Sequence, residues 1–229
     1  MTGLTDGAAA VIFDFFGTLT PVSPDQVWAT NARRLADALG VPADALVAAL
    51  DESFPERITG ALGDVRQTLL VIAGRLGARP SDDQLDEASR VRREIQESMF
   101  ALRPEALPVI RRLRAAGLKI GLLSDCTSEL PDAWAGLPLA DLVDAPVFSC
   151  VEQMRKPDPR LFQTVAANLR AEPAECLYVG DGGGRELTGA SDAGMRAVLL
   201  AGQDWLAHRS TEVGWTGPRI GSLTDLCPS

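Results

Sequence analysis

The chain has 229 residues, 46% of them hydrophobic and 23% charged, which is typical of a globular protein and is enough for one full core with a modest inserted domain. With 22 Lys and Arg against 31 Asp and Glu, the formal charge is −9. The protein as a whole therefore repels a phosphate-rich polymer, which argues against nucleic acid as a partner. The only histidine is His208, which excludes chemistry built on a histidine cluster or on a Ser-His-Asp triad placed mid-chain.

The N-terminal segment indicates a protein without membrane contact. It has no basic start, and Asp14 interrupts its apolar run, so it is neither a secretory signal nor a membrane span. We therefore expect a cytoplasmic protein. In that compartment the four cysteines, which lack metal-ligand spacing, are expected to be free buried thiols. They are Cys126, Cys150, Cys176 and Cys227.

The first predicted element is a buried strand at residues 8–16. This run is short and rich in Val, Ile and Phe, and it ends at Gly17, where a loop opens. From residue 20 to residue 102 the hydrophobic pattern changes to helical spacing, which predicts four amphipathic helices and no strand. Their limits are marked by Gly40 after the first, a bend near Pro55 in the second, Gly77 after the third, and Ser81 with Gln84 as a capping box before the fourth.

Beyond this insert, predicted helices and strands alternate. The apolar runs at 119–123, 176–179 and 196–200 predict strands, and the segments 104–116, 158–169 and 186–193 predict helices. The alternation predicts an α/β protein, with a Rossmann-like parallel-sheet core at residues 1–19 and 103–229 and an inserted helical-bundle cap at residues 20–102. Ligands bind beyond the carboxyl ends of such strands, where the insert also leaves the sheet, so we expect the cap to act as a lid.

Polar side chains of complementary chemistry are expected at that edge of the sheet. Asp14 ends the first strand and can present a carboxylate to a substrate, while Gly17 allows a tight turn and Thr18 adds a hydroxyl. Asp181 and Glu186 lie five positions apart across a glycine-rich loop, so they can converge on one hard cation with Asp14 and a backbone carbonyl. Oxygen-only ligation of this kind suits Mg2+.

Ser124 and Lys156 can hold the remaining oxygens of a phosphoryl group and offset their charge. Each of these residues also has a structural reading. Asp14 can be a helix cap, and Glu186 can be a first-turn helix acid that responds to the dipole. Ser124 with Asp125 can form a turn, and Lys156 can be a solvated loop lysine. Their joint occurrence in this order at successive strand ends favours the functional reading.

The segments DFFGTL, LLS, RKPDP and VGDGGGRE resemble the four motifs of the haloacid dehalogenase superfamily, and the helical insert resembles its type 1 cap. The resemblance implies a two-step reaction in which Asp14 attacks phosphorus and water then cleaves the aspartyl phosphate. It implies catalytic roles for Asp14, Thr18, Ser124 and Lys156, substrate contacts from Gly17, Thr18, Ser124 and Lys156, and magnesium ligands from Asp14, the main-chain carbonyl of Phe16, Asp181 and Glu186.

The chain departs from the pattern at Phe16, where phosphatases of this superfamily usually carry a second Asp as general acid and base. Loss of such a group typically costs about 10²- to 10⁴-fold in rate. Asp125 can replace it as a proton carrier or can make a turn hydrogen bond. Dehalogenases also dispense with that Asp, but their fourth motif lacks the pair that stands here as Gly180 and Asp181. Phosphonate-cleaving relatives use a cap lysine, and residues 20–102 contain none.

The resemblance therefore implies a magnesium-dependent phosphatase that acts on a phosphorylated small molecule, as a monomer or a homodimer. Two alternatives stay open: another hydrolase of the same fold, such as a 2-haloacid dehalogenase, and a protein that binds a phosphorylated ligand without turnover. Candidate substrate contacts in the cap are Trp28, Arg33, Phe54, Arg57 and Met99, although aromatic and Met residues at helical spacing are usually core and arginines on such helices usually face solvent.

Overall fold

A sheet of six parallel strands forms the centre of the computed structural model. The structure describes residues 3–22, 25–202, 210–212 and 214–227, without the side chains of residues 25–29. The strands are β1 (Ala10–Phe13), β2 (Lys119–Ser124), β3 (Ala145–Phe148), β4 (Cys176–Gly180), β5 (Arg196–Leu200) and β6 (Arg219–Ile220). Their order is β3-β2-β1-β4-β5-β6, so β1 lies between β2 and β4 and its carboxyl end is surrounded by theirs.

Helices cover the sheet and fill the insert. They are α1 (Asp25–Leu39), α2 (Ala43–Glu52), α3 (Phe54–Ile58), α4 (Val65–Arg75), α5 (Asp82–Ser98), α6 (Ala106–Ala115), α7 (Glu129–Ala133), α8 (Ser149–Glu152), α9 (Pro159–Leu169) and α10 (Glu186–Asp192). Short 3-10 turns lie at Trp134–Gly136, Pro173–Glu175, Gly183–Arg185 and Leu223–Leu226. Among the described residues, no helix is long and apolar enough to cross a membrane.

The interior positions of the long strands are apolar because both faces of the sheet are buried. Along β1, Val11 and Phe13 point into one apolar cluster with α6, while Ala10 and Ile12 point into a second with α9 and α10. A strand that is buried on both faces has no polar side to alternate with, which is why the sequence signal is a continuous apolar run. The predicted α/β fold with a parallel sheet is confirmed.

Two strands were not predicted. β3 contains Pro146, and a proline within an apolar run argues against a strand, because it lacks the N–H that a central strand needs. In the structure β3 lies at the edge of the described sheet and pairs only with β2, where this loss is tolerated. β6 has only two residues and is too short to show a pattern.

The described part of the insert has five helices rather than the four that were predicted. The second predicted helix is divided at Ser53 into α2 and α3, and Pro55 stands in the first turn of α3, where proline is compatible with helix. The capping box of Ser81 and Gln84 is confirmed, with both of its hydrogen bonds present. Helices α1, α2, α4 and α5 share an apolar cluster of their own. The domain limits at residues 19–20 and 102–103 stay a prediction.

Candidate active site

The loop after β1 brings Asp14 to the carboxyl edge of the sheet. Asp14 is 5% exposed, and its backbone N–H donates to the carbonyl of Val179 in β4 (2.9 Å). Its side chain makes no capping hydrogen bond to the turn that follows, so the reading of Asp14 as a helix cap is wrong. The chain then turns at Gly17, whose φ is +80°. A Cβ at this position would lie only 2.3 Å from Oδ2 of Asp181, which is too close for any other residue. Glycine at this position lets the two acidic loops approach each other.

Lys156 connects two of the acids. Its Nζ donates to Oδ1 of Asp14 (2.7 Å) and to Oε2 of Glu186 (2.5 Å). The lysine is 4% exposed and Glu186 is 0% exposed. The reading of Lys156 as a solvated loop lysine is therefore wrong. Glu186 does begin α10, but a dipole effect at a solvated helix end does not explain a carboxylate that is buried against a lysine.

Asp14, Asp181 and Glu186 form an acidic group in which one carboxylate oxygen from each lies within 4.8 Å of the others. Together with Lys156, these side chains leave two negative charges uncompensated when all are ionised. Burial raises the pKa of Asp14 well above its usual range, and Glu186 and Asp181 raise it further against the opposing effect of Lys156. Burial and the neighbouring Glu186 raise the pKa of Asp181 to about 6. A divalent cation would remove this excess charge, and an all-oxygen donor set fits Mg2+.

Two hydroxyls beside this group lack partners. Thr18 and Ser124 are both 0% exposed, and neither Oγ1 of Thr18 nor Oγ of Ser124 has a hydrogen-bond partner among the described residues. Buried hydroxyls are normally satisfied, and those that are not call for a specific explanation. Thr18 lies in the turn after β1, and Ser124 is the last residue of β2. A ligand bound at the carboxyl edge of the sheet can therefore supply their partners.

The glycine-rich loop after β4 is shaped around Glu186. Gly182 donates its N–H to Oε1 of Glu186 (2.9 Å), and a Cβ at Gly180 would lie 2.2 Å from the same oxygen. The hydroxyl of Tyr178 donates to Oε2 of Glu186 (2.8 Å) and receives a hydrogen bond from Nζ of Lys156 (3.4 Å). Tyr178 was not predicted as a site residue because it stands in an apolar strand, where it resembles a core residue. It is the only tyrosine of the chain.

Two further contacts hold the loops together. Oδ1 of Asp125 accepts the backbone N–H of Lys156 (3.0 Å), so this carboxylate connects two loops and does not stabilise a turn of its own. Burial raises its pKa. Arg103 donates from Nε to the carbonyl of Thr18 (2.9 Å) and from Nη2 to the carbonyl of Gly17 (3.0 Å). No motif pointed to Arg103, which fixes the turn after Asp14 from the opposite end of the insert.

Phe16 carries no group that can transfer a proton. Its half-buried ring packs edge-on against Phe15, with the ring centroids 5.0 Å apart, and lies 6.2 Å from the ring centroid of Phe100. The side chain thus belongs to an aromatic cluster under the insert. The role of its carbonyl as a metal ligand stays a prediction.

A cleft lies between the insert and the loop after β2, lined among others by Arg57, Arg92, Thr127 and Glu129. Nε of Arg92 and Oε1 of Glu129 form a buried ion pair across it at 2.8 Å. Arg57 donates from Nη2 to the carbonyl of Leu50 (2.8 Å). Burial and the neighbouring Arg92 lower the pKa of Arg57 to about 10, which still leaves it charged, so the cleft carries a net positive charge.

The other candidate contacts of the insert have different surroundings. Arg33 is exposed, and Phe54 is 46% exposed, with the guanidinium of Arg57 above its ring. Met99 packs against the apolar cluster of the insert, as a core residue would. The side chain of Trp28 lies outside the described residues. Of the four candidates whose side chains the structure describes, Arg57 is the one on the cleft.

Comparison with known proteins supports the superfamily assignment. Residues 8–194 match the model of a hydrolase family described as haloacid dehalogenase-like hydrolase. The chain is 28% identical over 199 residues to beta-phosphoglucomutase of Bacillus subtilis (strain 168), covering 84% of this chain and 80% of that protein. It is 38% identical over 100 residues to Phosphatase MT3486 of Mycobacterium tuberculosis (strain CDC 1551 / Oshkosh), covering 42% of this chain and 45% of that protein. A solved structure of 2-haloacid dehalogenase from Pseudomonas syringae pv. Tomato DC3000 has a TM-score of 0.70 and 25% identity, covering 96% of each chain.

The chain belongs to the haloacid dehalogenase-like hydrolase family and has an α/β fold with a parallel sheet. The matched segments span only 38% and 45% of the length of two curated relatives. Proteins named as phosphatases and proteins named as dehalogenases both occur among those that resemble it. Membership therefore defines the class of protein and leaves the reaction to be inferred from the site.

Proposed function

We propose that this hydrolase is a magnesium-dependent phosphatase that acts on a phosphorylated small molecule through an aspartyl phosphate on Asp14. The observation that carries the proposal is the pair of buried hydroxyls, Thr18 and Ser124, that have no partner among the described residues. They belong to the loop after β1 and to the end of β2, beside Asp14 and Lys156. A phosphoryl group has several acceptor oxygens, and it would satisfy both hydroxyls while Lys156 offsets its charge.

The residues of the chain divide the work of the reaction as follows. One carboxylate oxygen of Asp14 attacks phosphorus, and the leaving group departs with the electrons of the broken P–O bond. Thr18 and Ser124 donate hydrogen bonds to the phosphoryl oxygens, and Lys156 stabilises the negative charge that accumulates on them. Water then attacks the aspartyl phosphate and regenerates the carboxylate of Asp14, releasing inorganic phosphate.

The residues present fit a magnesium ion. Asp14, Asp181 and Glu186 would hold it with their carboxylates, together with the main-chain carbonyl of Phe16. When bound, Mg2+ supplies charge neutralisation and polarises the phosphoryl group. The excess of acids over Lys156 in a buried place supports this proposal, because such an excess is unfavourable without a cation.

The cleft beside the loop after β2 supports a leaving group that is itself anionic. Arg57 and Arg92 outnumber Glu129 there, and Thr127 follows Ser124 by three positions. Residues 20–102 would form the cap domain over a core of residues 1–19 and 103–229, and the cap would open as a lid for substrate entry. Opening would separate Arg92 from Glu129, because these residues lie on α5 and α7.

A 2-haloacid dehalogenase is the second candidate. It is favoured by Phe16, since a departing halide needs no proton, and by the similarity to a solved dehalogenase. Asp181 and Glu186 argue against a dehalogenase, because a reaction without a metal gives no use to two further acids, one half-buried and one buried, beside Asp14.

Turnover of p-nitrophenyl phosphate with Mg2+, with and without EDTA, tests the proposal. Metal-dependent release of p-nitrophenol that is lost in Asp14→Asn and kept in Asp192→Asn, an exposed acid of α10, supports phosphatase activity. Halide release from 2-chloropropionate without metal indicates the dehalogenase instead. Binding of a phosphate analogue without turnover of a phosphorylated-metabolite panel would mean that the chain binds a phosphorylated ligand only.

A further inference from the structure

Two of the four cysteines are neighbours in space. The Sγ atoms of Cys126 and Cys150 lie 4.0 Å apart, although the residues are 24 positions apart in sequence. Cys126 follows β2 by two residues, and Cys150 lies in α8, directly after β3. β2 and β3 are parallel and paired, with Gly121 opposite Ala145 and Ser124 opposite Phe148. This register brings the two thiols, which follow the ends of these strands, to the carboxyl edge of the sheet. In contrast, Sγ of Cys176 faces the carbonyl of Glu172 at 3.4 Å.

We propose that Cys126 and Cys150 are a redox-sensitive pair that forms an intramolecular disulfide when the protein meets a hydroperoxide. A disulfide needs its sulfurs about 2 Å apart, so the thiols must approach by about half of their present separation. The proposal does not depend on which hydrolytic reaction the protein catalyses.

The two thiols have different surroundings, which assigns their roles. Cys126 is 2% exposed, while Cys150 is only partly buried and can be reached by a small oxidant. The hydrogen bond from the thiol of Cys126 lowers the pKa of Cys150, whereas burial raises the pKa of Cys126. A thiolate is the nucleophile in such chemistry. Cys150 is therefore the residue that attacks the oxidant, and Cys126 the residue that resolves the product.

The chemistry balances with hydrogen peroxide as the oxidant. The thiolate of Cys150 attacks one peroxide oxygen, the O–O bond breaks, and hydroxide leaves, which gives a sulfenic acid on Cys150. The sulfur of Cys126 then attacks the sulfur of Cys150, its thiol proton and the departing hydroxide form water, and the S–S bond is complete. Each sulfur loses one electron, and the peroxide is reduced to two molecules of water.

The pair lies where the insert rests on the sheet. Oγ of Ser149 accepts the N–H of Cys126 (2.9 Å) and donates to the carbonyl of Ile58 in α3 (2.6 Å). A Cβ at Gly60 would lie 2.3 Å from the carbonyl oxygen of Cys150, so the loop after α3 is in direct contact with this cysteine. A disulfide here would change the contact between the insert and the loop that carries Ser124.

Peptide mapping of the intact protein tests the proposal. Reduced protein is treated with hydrogen peroxide, alkylated without reduction and digested. Trypsin leaves both cysteines in the peptide 120–155, so the disulfide appears as loss of both alkyl groups from that peptide. A second digestion with a Glu-specific protease should give two fragments that stay linked until dithiothreitol is added. Cys176→Ser, the matched control, should form the same link.

The single variants test the roles. In Cys126→Ser, peroxide should leave a sulfenic acid on Cys150 that dimedone traps, and in Cys150→Ser the thiol of Cys126 should stay reduced. Full alkylation of both cysteines in peroxide-treated wild type, or oxidation of Cys150 to the sulfinic acid without a link, would overturn the pairing. Dimedone on Cys126 in Cys150→Ser would overturn the roles.

Discussion

Asp181→Asn should stabilise the fold in the absence of metal, although it removes a proposed metal ligand. The amide can still accept the hydrogen bond that Gly183 donates to Oδ1, and it carries no charge toward Glu186. The pKa of Asp181 is raised from its usual 3.8 to about 6. A raised carboxyl pKa means that the folded state binds the proton more tightly, so stability falls as pH rises between those two values.

The magnitude follows from the shift. Each pKa unit corresponds to about 1.4 kcal/mol, so ionised Asp181 destabilises the fold by up to about 3 kcal/mol near neutral pH. For a chain of this size, that corresponds to a rise in melting temperature of roughly 6 to 12 °C in the variant. Below the usual Asp pKa the carboxyl is protonated in both the folded and the unfolded state, and the difference should vanish.

Thermal unfolding in EDTA, near pH 7.5 and near pH 3.5, measures the effect, with Asp192→Asn as the control at an exposed position. Adding Mg2+ should then stabilise wild type by about 2.7 kcal/mol at a hundredfold excess over the dissociation constant, and Asp181→Asn by much less. Lower stability of the variant in EDTA at the higher pH, or an equal response of both proteins to Mg2+, would refute the reasoning.

Three further outcomes are expected. Phe16→Asp introduces a carboxylate beside the site and should raise the rate on alkyl phosphates more than on p-nitrophenyl phosphate, whose phenolate departs unprotonated. Steady-state rates on both substrates measure this, and equal effects on both would mean that Asp125 or another group already supplies the proton. Glu129→Leu leaves Arg92 buried without its partner and should lower the free energy of unfolding by about 3 kcal/mol, whereas the double variant with Arg92→Leu should lose less than the sum of the singles in urea titrations. Peroxide treatment should lower the turnover rate about tenfold or more, since a displacement of ~1 Å near a reacting group can cost ~10²-fold in rate. Dithiothreitol should restore the rate of wild type, and the rate of Cys126→Ser should not fall.

The sequence predicted the acidic group and Lys156 because all of them stand at the ends of parallel strands, and those ends share one edge of the sheet. It did not predict that Tyr178 contacts Glu186, because an aromatic residue in a buried strand has the same pattern whether or not its hydroxyl reaches a site. The hydrogen bonds from Arg103 to the carbonyls of Gly17 and Thr18 were not predicted either, because the sequence around a single arginine does not indicate which groups it contacts.

The proximity of Cys126 and Cys150 depends on the register between β2 and β3. Because β3 contains Pro146, it was not predicted as a strand. Without that strand, there was no reason in the sequence to expect the two cysteines at neighbouring strand ends. The division of the second predicted helix of the insert at Ser53 was missed for a related reason. The apolar spacing continues across residues 47–58, while the break is decided by the backbone around Ser53 and Pro55 rather than by the pattern.

Trapping the covalent intermediate tests the phosphatase proposal most directly. Protein mixed with p-nitrophenyl phosphate and Mg2+ is quenched in acid during the first turnovers, digested with pepsin and analysed by mass spectrometry. We expect one phosphoryl group on the peptide that contains Asp14, and none in Asp14→Asn. Release of p-nitrophenol by wild type without a phosphorylated Asp14, or a phosphoryl group on Thr18 or Ser124 instead, would contradict the account.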